Sequence, residues 1–212
     1  MIELKNVSKA YNSKWIFRNL SLQIDKNEFV TLVGESGSGK TTLLNLMGLL
    51  ERPDEGSIKV QGLENPQNKD IRKLRRYHFG YIFQNYALLE HDTVKNNILL
   101  ASKYNEKFQN EMVNEVINTV GLDVGMLQKR VYELSGGEQQ RLAIARVLLK
   151  PCDIIFADEP TGNLDEQNKF KIIDLLLKLK EAGKTIICVT HDQDVAKSSD
   201  RTINIQDLKD KL

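Results

Sequence analysis

Residues Gly34 to Thr41 read Gly-Glu-Ser-Gly-Ser-Gly-Lys-Thr, an order suited to holding a chain of phosphates. Gly37 and Gly39 carry no Cβ, so the backbone can curl until successive N–H groups face phosphate oxygens. Lys40 adds a mobile positive charge for the β and γ phosphates, and the Thr41 hydroxyl can ligate Mg²⁺. Gly34, Glu35, Ser36, Ser38 and Thr42 complete the candidate cradle. An ordinary Gly/Ser loop would not need a buried strand before it and a helix after it, and both are expected here.

A second chemical pair is Asp158-Glu159, at the end of the apolar run Ile154 to Ala157. Neighbouring carboxylates on an emerging strand point in different directions. One can ligate Mg²⁺ while the other orients a water at the γ-phosphate; Asp158 is assigned the metal and Glu159 the water. The plainer alternative is a solvated acidic turn, which the nearby phosphate cradle disfavours.

Ser135-Gly136-Gly137-Glu138 forms a capping box, with Ser135 capping a helix that runs to Lys150 and Glu138 reaching back to the cap amide. Two glycines in a first turn cost up to ~1 kcal/mol each relative to Ala, so a purely structural start would not need both. Bare amides, a hydroxyl and a helix dipole form a second anion surface without a lysine. One full cradle and one half-site imply that the half-site serves a nucleotide held by another copy.

The elements that must position these groups follow from periodicity. Ile2 to Tyr11, Trp15 to Phe17 and Leu20 to Ile24 read as short antiparallel strands, and Phe29 to Val33 as a strand buried on both faces. A helix follows through Met47, then a turn over Arg52 to Gly56 and a strand over Ile58 to Val60. Helical patterns dominate from Asn85 to Leu149, and strands return at Ile154 to Ala157 and Thr185 to Thr190. In a parallel sheet the strand C-termini share one edge, which would bring Asp158 and Glu159 near Gly34.

Thirty Lys and Arg against twenty-nine Asp and Glu leave a net charge of +1 over 212 residues, no field for a nucleic acid. No apolar run approaches the roughly 20 residues of a membrane span, and the first residues lack a signal-peptide core, so a cytoplasmic chain is expected. Cys152 and Cys188 read as reduced core residues. Arg72, Lys73, Arg75 and Arg76 read as a solvated face of a short helix rather than a lipid contact. His78 and His91 have no chemical context.

Leu134-Ser135-Gly136-Gly137-Glu138-Gln139-Gln140-Arg141 resembles the signature motif of ABC ATPases, and the family's other motifs appear in order. The resemblance covers essentially the whole chain. It implies that Gln84 senses Mg²⁺ and γ-phosphate beside a membrane partner, and that Asn163-Leu164-Asp165 is the loop communicating across a dimer. It also implies that His191 contacts the γ-phosphate and that Tyr11 stacks on adenine, a place for which the Trp15 ring is a rival. The cradle and Phe83-Gln84-Asn85-Tyr86 look like the branch serving lipoprotein release and macrolide or peptide export. Asn27 stands where relatives usually carry Gly, and Asn tolerates a left-handed turn.

The implied fold is an α/β P-loop NTPase, a mostly parallel RecA-like core with an N-terminal antiparallel β subdomain and an inserted helical subdomain. The expected division is 1–84 and 151–212 for the core and 85–150 for the helices. The implied activity is ATP hydrolysis with Mg²⁺ in a homodimer that drives a separate integral-membrane permease. Export of a peptide, lipoprotein or hydrophobic drug-like substrate is one reading of that drive. A non-transporting complex that only transmits force across a membrane is the other.

Overall fold

The computed structural model describes residues 1–162 and 164–209. In chain order the first half runs β1 (Ile2–Tyr11), β2 (Lys14–Ile24), β3 (Phe29–Val33), α1 (Lys40–Met47), β4 (Glu55–Val60), β5 (Leu63–Glu64), α2 (Asn68–Tyr77), β6 (Phe79–Ile82) and α3 (Val94–Ser102). It continues with α4 (Glu111–Thr119), α5 (Gly136–Leu149), β7 (Ile154–Asp158), α6 (Glu166–Glu181), β8 (Thr185–Val189), α7 (Gln193–Ser198), β9 (Arg201–Asn204) and α8 (Ile205–Lys209).

The strands form two sheets, an antiparallel one ordered β2-β1-β4-β5 and a parallel one ordered β6-β7-β8-β3-β9. The inner parallel strands β3, β7 and β8 are largely apolar on both faces because both are covered, whereas the edge strand β9 is polar and mostly exposed. In β7, Ile154 and Phe156 join a core shared with the antiparallel sheet and α1, while Ile155 and Ala157 join a core shared with α3, α5 and α6. Helix α1 is therefore clamped between two sheets through Leu43, Leu46 and Met47, all fully buried. Cys152 and Cys188 are buried free thiols, and burial pushes the Cys152 pKa up to about 11.

Two expected boundaries move. The runs Trp15 to Phe17 and Leu20 to Ile24 form one strand, because Asn19, at φ 44, makes a bulge whose N–H donates to Ser8 Oγ at 3.1 Å. The turn after α1 also ends earlier, since Glu55 and Gly56 already belong to β4. Gly56 is required by close packing: at φ +84, a Cβ would sit 2.3 Å from the Asn6 carbonyl oxygen. Asn27 takes the left-handed turn expected of it, at φ 61.

The cost of that close approach can be measured. A Cβ on Gly62, at φ +82, would meet nothing within 4 Å, so Gly62→Ala should cost only the left-handed strain of about 1–2 kcal/mol. Gly56→Ala adds a backbone clash and should cost at least about 3 kcal/mol in urea unfolding; equal losses would refute the packing argument.

Candidate functional site

The residues after β3 turn sharply, with φ of +150 at Gly34, +76 at Gly37 and +100 at Gly39. A Cβ on Gly39 would fall 2.6 Å from Ile16 Cγ2, whereas one on Gly37 would meet nothing within 4 Å. Gly39 occupies the cap position of α1 and supplies no side-chain hydrogen bond, so the first-turn N–H groups, which have no intrahelical partners, gain none from a cap side chain. Other helices here are capped, by Thr93, Ser135, Asp165 and Asp192. Lys40 Nζ arches back to donate to the carbonyls of Gly34 at 2.8 Å and Glu35 at 2.9 Å. Ser38 Oγ is buried without a partner. Together these are donors assembled for an anion.

The carboxylates arrive from β7 beside this loop. Thr41 Oγ1 donates to Asp158 Oδ1 at 3.4 Å. Burial raises the Asp158 pKa above the usual carboxylate range; the Thr41 hydrogen bond opposes this, Glu159 reinforces it and Lys40 opposes it. A hydroxyl and a desolvated carboxylate at this separation fit a hard divalent cation, which takes oxygen ligands and would offset the burial. Glu159 differs in backbone and partners. It adopts φ 47, unusual for a residue with a side chain, while its N–H donates to Val189 O at 2.9 Å. Its Oε2 lies 2.9 Å from His191 Nδ1 and accepts the His191 backbone N–H at 3.3 Å.

These groups share one pocket of about 380 Å³. Ser36, Gly37, Gly39, Lys40, Thr41 and Thr42 line it from one side, and Gln84, Asp158, Glu159 and His191 from the strand ends. Tyr11 lines it too, whereas Trp15 does not and instead lies under the Arg18 guanidinium at 5.0 Å. The Tyr11 hydroxyl bonds the Glu51 carboxylate, which also accepts from Asn45 Nδ2 at 2.9 Å. Lys9 Nζ sits 5.4 Å from the centre of the Tyr11 ring. Sequence reasoning missed Ile16 and Val189 in the lining and Glu51 behind it. Ile16 was legible as the apolar neighbour of Trp15, but Glu51 lies forty positions from its partner Tyr11.

Ser135, Gly136, Gly137, Glu138 and Asp165 do not line that pocket. The capping box forms: Ser135 N–H donates to Glu138 Oε2 at 2.7 Å, and Glu138 N–H to Ser135 Oγ at 3.3 Å. Asp165 caps α6, accepting from Asn168 N–H at 2.8 Å. Asn168 in turn accepts from Arg141 Nη1 at 2.6 Å, and a Cβ on Gly137 would lie 3.0 Å from its side chain. Asn163 lies outside the described residues. In the basic cluster Arg72, Lys73 and Arg76 are exposed, as expected, and Arg75 is half-buried; Arg72, Arg75 and Arg76 border an open cleft beside β6, and Lys73 lies toward His78 and Asp153.

Residues 17–162 match the family model described as ABC transporter. The chain is 39% identical over 216 residues to the macrolide export ATP-binding/permease protein MacB of Neisseria meningitidis serogroup B, covering 98% of this chain and 33% of that protein. It thus spans about a third of the length of such relatives. It is 38% identical to the lipoprotein-releasing system ATP-binding protein LolD of Aquifex aeolicus, over 99% of this chain and 95% of that one. A dimeric, post-hydrolysis structure of the ATP-binding cassette MJ0796 bound to ADP and Pi superposes with a TM-score of 0.88 at 37% identity, covering 96% of this chain and 94% of that one.

The capping role of Ser135 sets a structural baseline for any other role it has. Ser135→Ala should cost about 1 kcal/mol and lower Tm by roughly 2–4 °C by calorimetry; an unchanged Tm would mean that the cap contributes nothing.

Proposed function

Because the chain belongs to the ABC transporter family and has the fold of its ATPases, we propose that it binds and hydrolyses ATP at the strand-end pocket to drive a separate integral-membrane permease. The observation that carries this reading is the convergence of Lys40, Asp158, Glu159, His191 and Gln84 on one pocket from four different elements of the chain. Among the described residues no helix is long and apolar enough to cross a membrane. We place the chain in the cytoplasm, on the inner face of the membrane through that permease, with a peptide, lipoprotein or hydrophobic drug-like molecule as exported cargo. The core is 1–84 with 151–212 and the helical subdomain 85–150.

The residues divide the work. The amides of the Ser36–Gly39 turn and the uncapped start of α1 hold phosphate oxygens, and Lys40 exchanges its two carbonyl partners for the β and γ phosphates. Thr41 and Asp158, joined by Gln84, would hold Mg²⁺, which neutralises charge on the phosphate oxygens. Glu159 accepts the proton of an attacking water, its carboxylate aimed by the left-handed backbone and steadied by His191. Tyr11, tethered through its hydroxyl to Glu51, offers its ring to adenine.

The capped start of α5 completes the site in a second copy. Ser135, Gly136, Gly137 and Glu138, with Asp165 beside them, point to a nucleotide of the partner subunit, so ATP draws a homodimer shut and loss of the γ-phosphate releases it. Dimerisation of the MJ0796 cassette supports this arrangement.

Two variants test the assignment. Glu159→Gln should keep ATP binding, lower kcat by about 10²- to 10⁴-fold and accumulate a dimer on size-exclusion chromatography with ATP; wild-type turnover would remove Glu159 from the role of base. Lys40→Ala should weaken ATP binding about 10- to 100-fold, the loss expected for hydrogen bonds to a charged group; undiminished affinity by calorimetric titration would refute the cradle.

A further inference from the structure

Tyr11 is the last residue of β1 and pairs with Lys14 across a two-residue turn, Asn12-Ser13, both left-handed at φ 49 and φ 62. Its ring is 42% exposed, so burial does not fix the direction in which it points. A ring that must lie flat on a base needs some other hold, because each freely turning side chain that binding immobilises costs entropy.

The segment between α1 and β4 supplies that hold. Asp54 N–H donates to Ser8 O at 2.9 Å, its Oδ2 accepts the Ala10 N–H at 2.8 Å, and its Oδ1 pairs with Lys9 Nζ at 3.3 Å. These bonds fasten the strand leading to Tyr11. The Tyr11 side chain itself is held through Glu51, whose Oε2 accepts its hydroxyl. Desolvation, and then the Glu51 hydrogen bond, raises the pKa of that hydroxyl against an opposing bond from Thr42, so it stays protonated as the donor. Glu51 is in turn fixed to α1: its Oε1 accepts from Asn45 Nδ2 at 2.9 Å, and its N–H donates to Asn45 O at 3.2 Å. That helix begins at Lys40 and is clamped between the two sheets. One carboxylate thus ties the ring at the pocket's edge to the helix that carries the phosphate donors, without itself lining the pocket.

We propose that Glu51 is a positioning residue for ATP: it fixes the Tyr11 ring relative to the Lys40 cradle, so that the site favours a triphosphate carrying a base over the bare phosphate chain. This rests on the proposed stacking of Tyr11 on adenine and adds what sets the spacing between ring and phosphates. The Asp54 bonds already join the turn to β1, so the turn needs no further bond to the tip of a side chain. What the Glu51 bond adds is a fixed direction for the ring, which lowers the entropy lost when a base stacks on it.

The test compares ATP with inorganic tripolyphosphate, which has no base, in calorimetric titrations of the whole chain without Mg²⁺. Glu51→Ala and Tyr11→Phe should each weaken ATP about three- to tenfold, the effect of freeing one side chain, while tripolyphosphate affinity stays within twofold of wild type. Glu51→Gln should restore ATP binding to within twofold, because an amide oxygen still accepts the hydroxyl and Asn45 can turn its own amide to meet the new NH₂. The Tyr11→Phe, Glu51→Ala double variant should bind ATP no more weakly than Tyr11→Phe alone. In steady state the Glu51→Ala effect should fall on KM for ATP and not on kcat. Unchanged ATP affinity in both single variants, or additive losses in the double variant, would overturn the proposal. So would an equal loss for tripolyphosphate, which would mean that Glu51 acts by holding α1 and not the ring. A wild-type chain that binds neither ligand would defeat the cradle reading itself, and this proposal with it.

Discussion

Helix α1 starts without a cap, and much of the molecule can be understood from that omission. Its first-turn N–H groups, the partnerless Ser38 hydroxyl and the Lys40 ammonium form a concentration of donors suited to an anion. Such a start is tolerable because the helix does not stabilise itself. Leu43, Leu46 and Met47 are fully buried between two sheets, so packing rather than capping keeps the helix in place. The antiparallel sheet thereby serves the site twice: it covers α1, and it carries Tyr11 and Ile16 to the pocket rim.

The second anion surface is built on the opposite logic. At α5 the cap is complete, with Ser135 and Glu138 exchanging hydrogen bonds, and the helix beneath is buried along most of its length. Asn168 ties this helix to the loop after β7 by accepting from Arg141 while binding Asp165. A surface so firmly fixed, yet outside the pocket of its own chain, suits a rigid lid for a neighbour's site. The two helix starts therefore differ in kind, one left uncapped and the other fully capped.

Legibility in the sequence followed the range of the interactions. The cradle, the carboxylate pair and the capping box are local, so their geometry is close to what residue order dictates. Strands β3, β7 and β8 were readable because both faces are covered and their residues are nearly all apolar. What escaped depended on distant partners. The bulge that makes β2 continuous relies on Ser8 catching Asn19, Gly56 on the Asn6 carbonyl, and the Tyr11 tether on Glu51. Of the basic residues of α2, Arg72, Lys73 and Arg76 are exposed as their pattern indicates, and only Arg75 turns inward, to the carbonyl of the distant Leu49.

The Gln84 segment is where those distant contacts acquire mechanical meaning. Tyr86 and Ala87 are consecutive left-handed residues, at φ 61 and φ 48, a conformation that costs energy and persists only where its surroundings impose it. Arg146 is one such surrounding, through its bond to Ala87 O; the Tyr86 hydroxyl, 3.4 Å from a Cβ placed on Gly136, touches the start of the same helix. One short stretch of chain thus borders the phosphate pocket at Gln84, the open cleft beside β6 at Ala87 and the half-site at Tyr86.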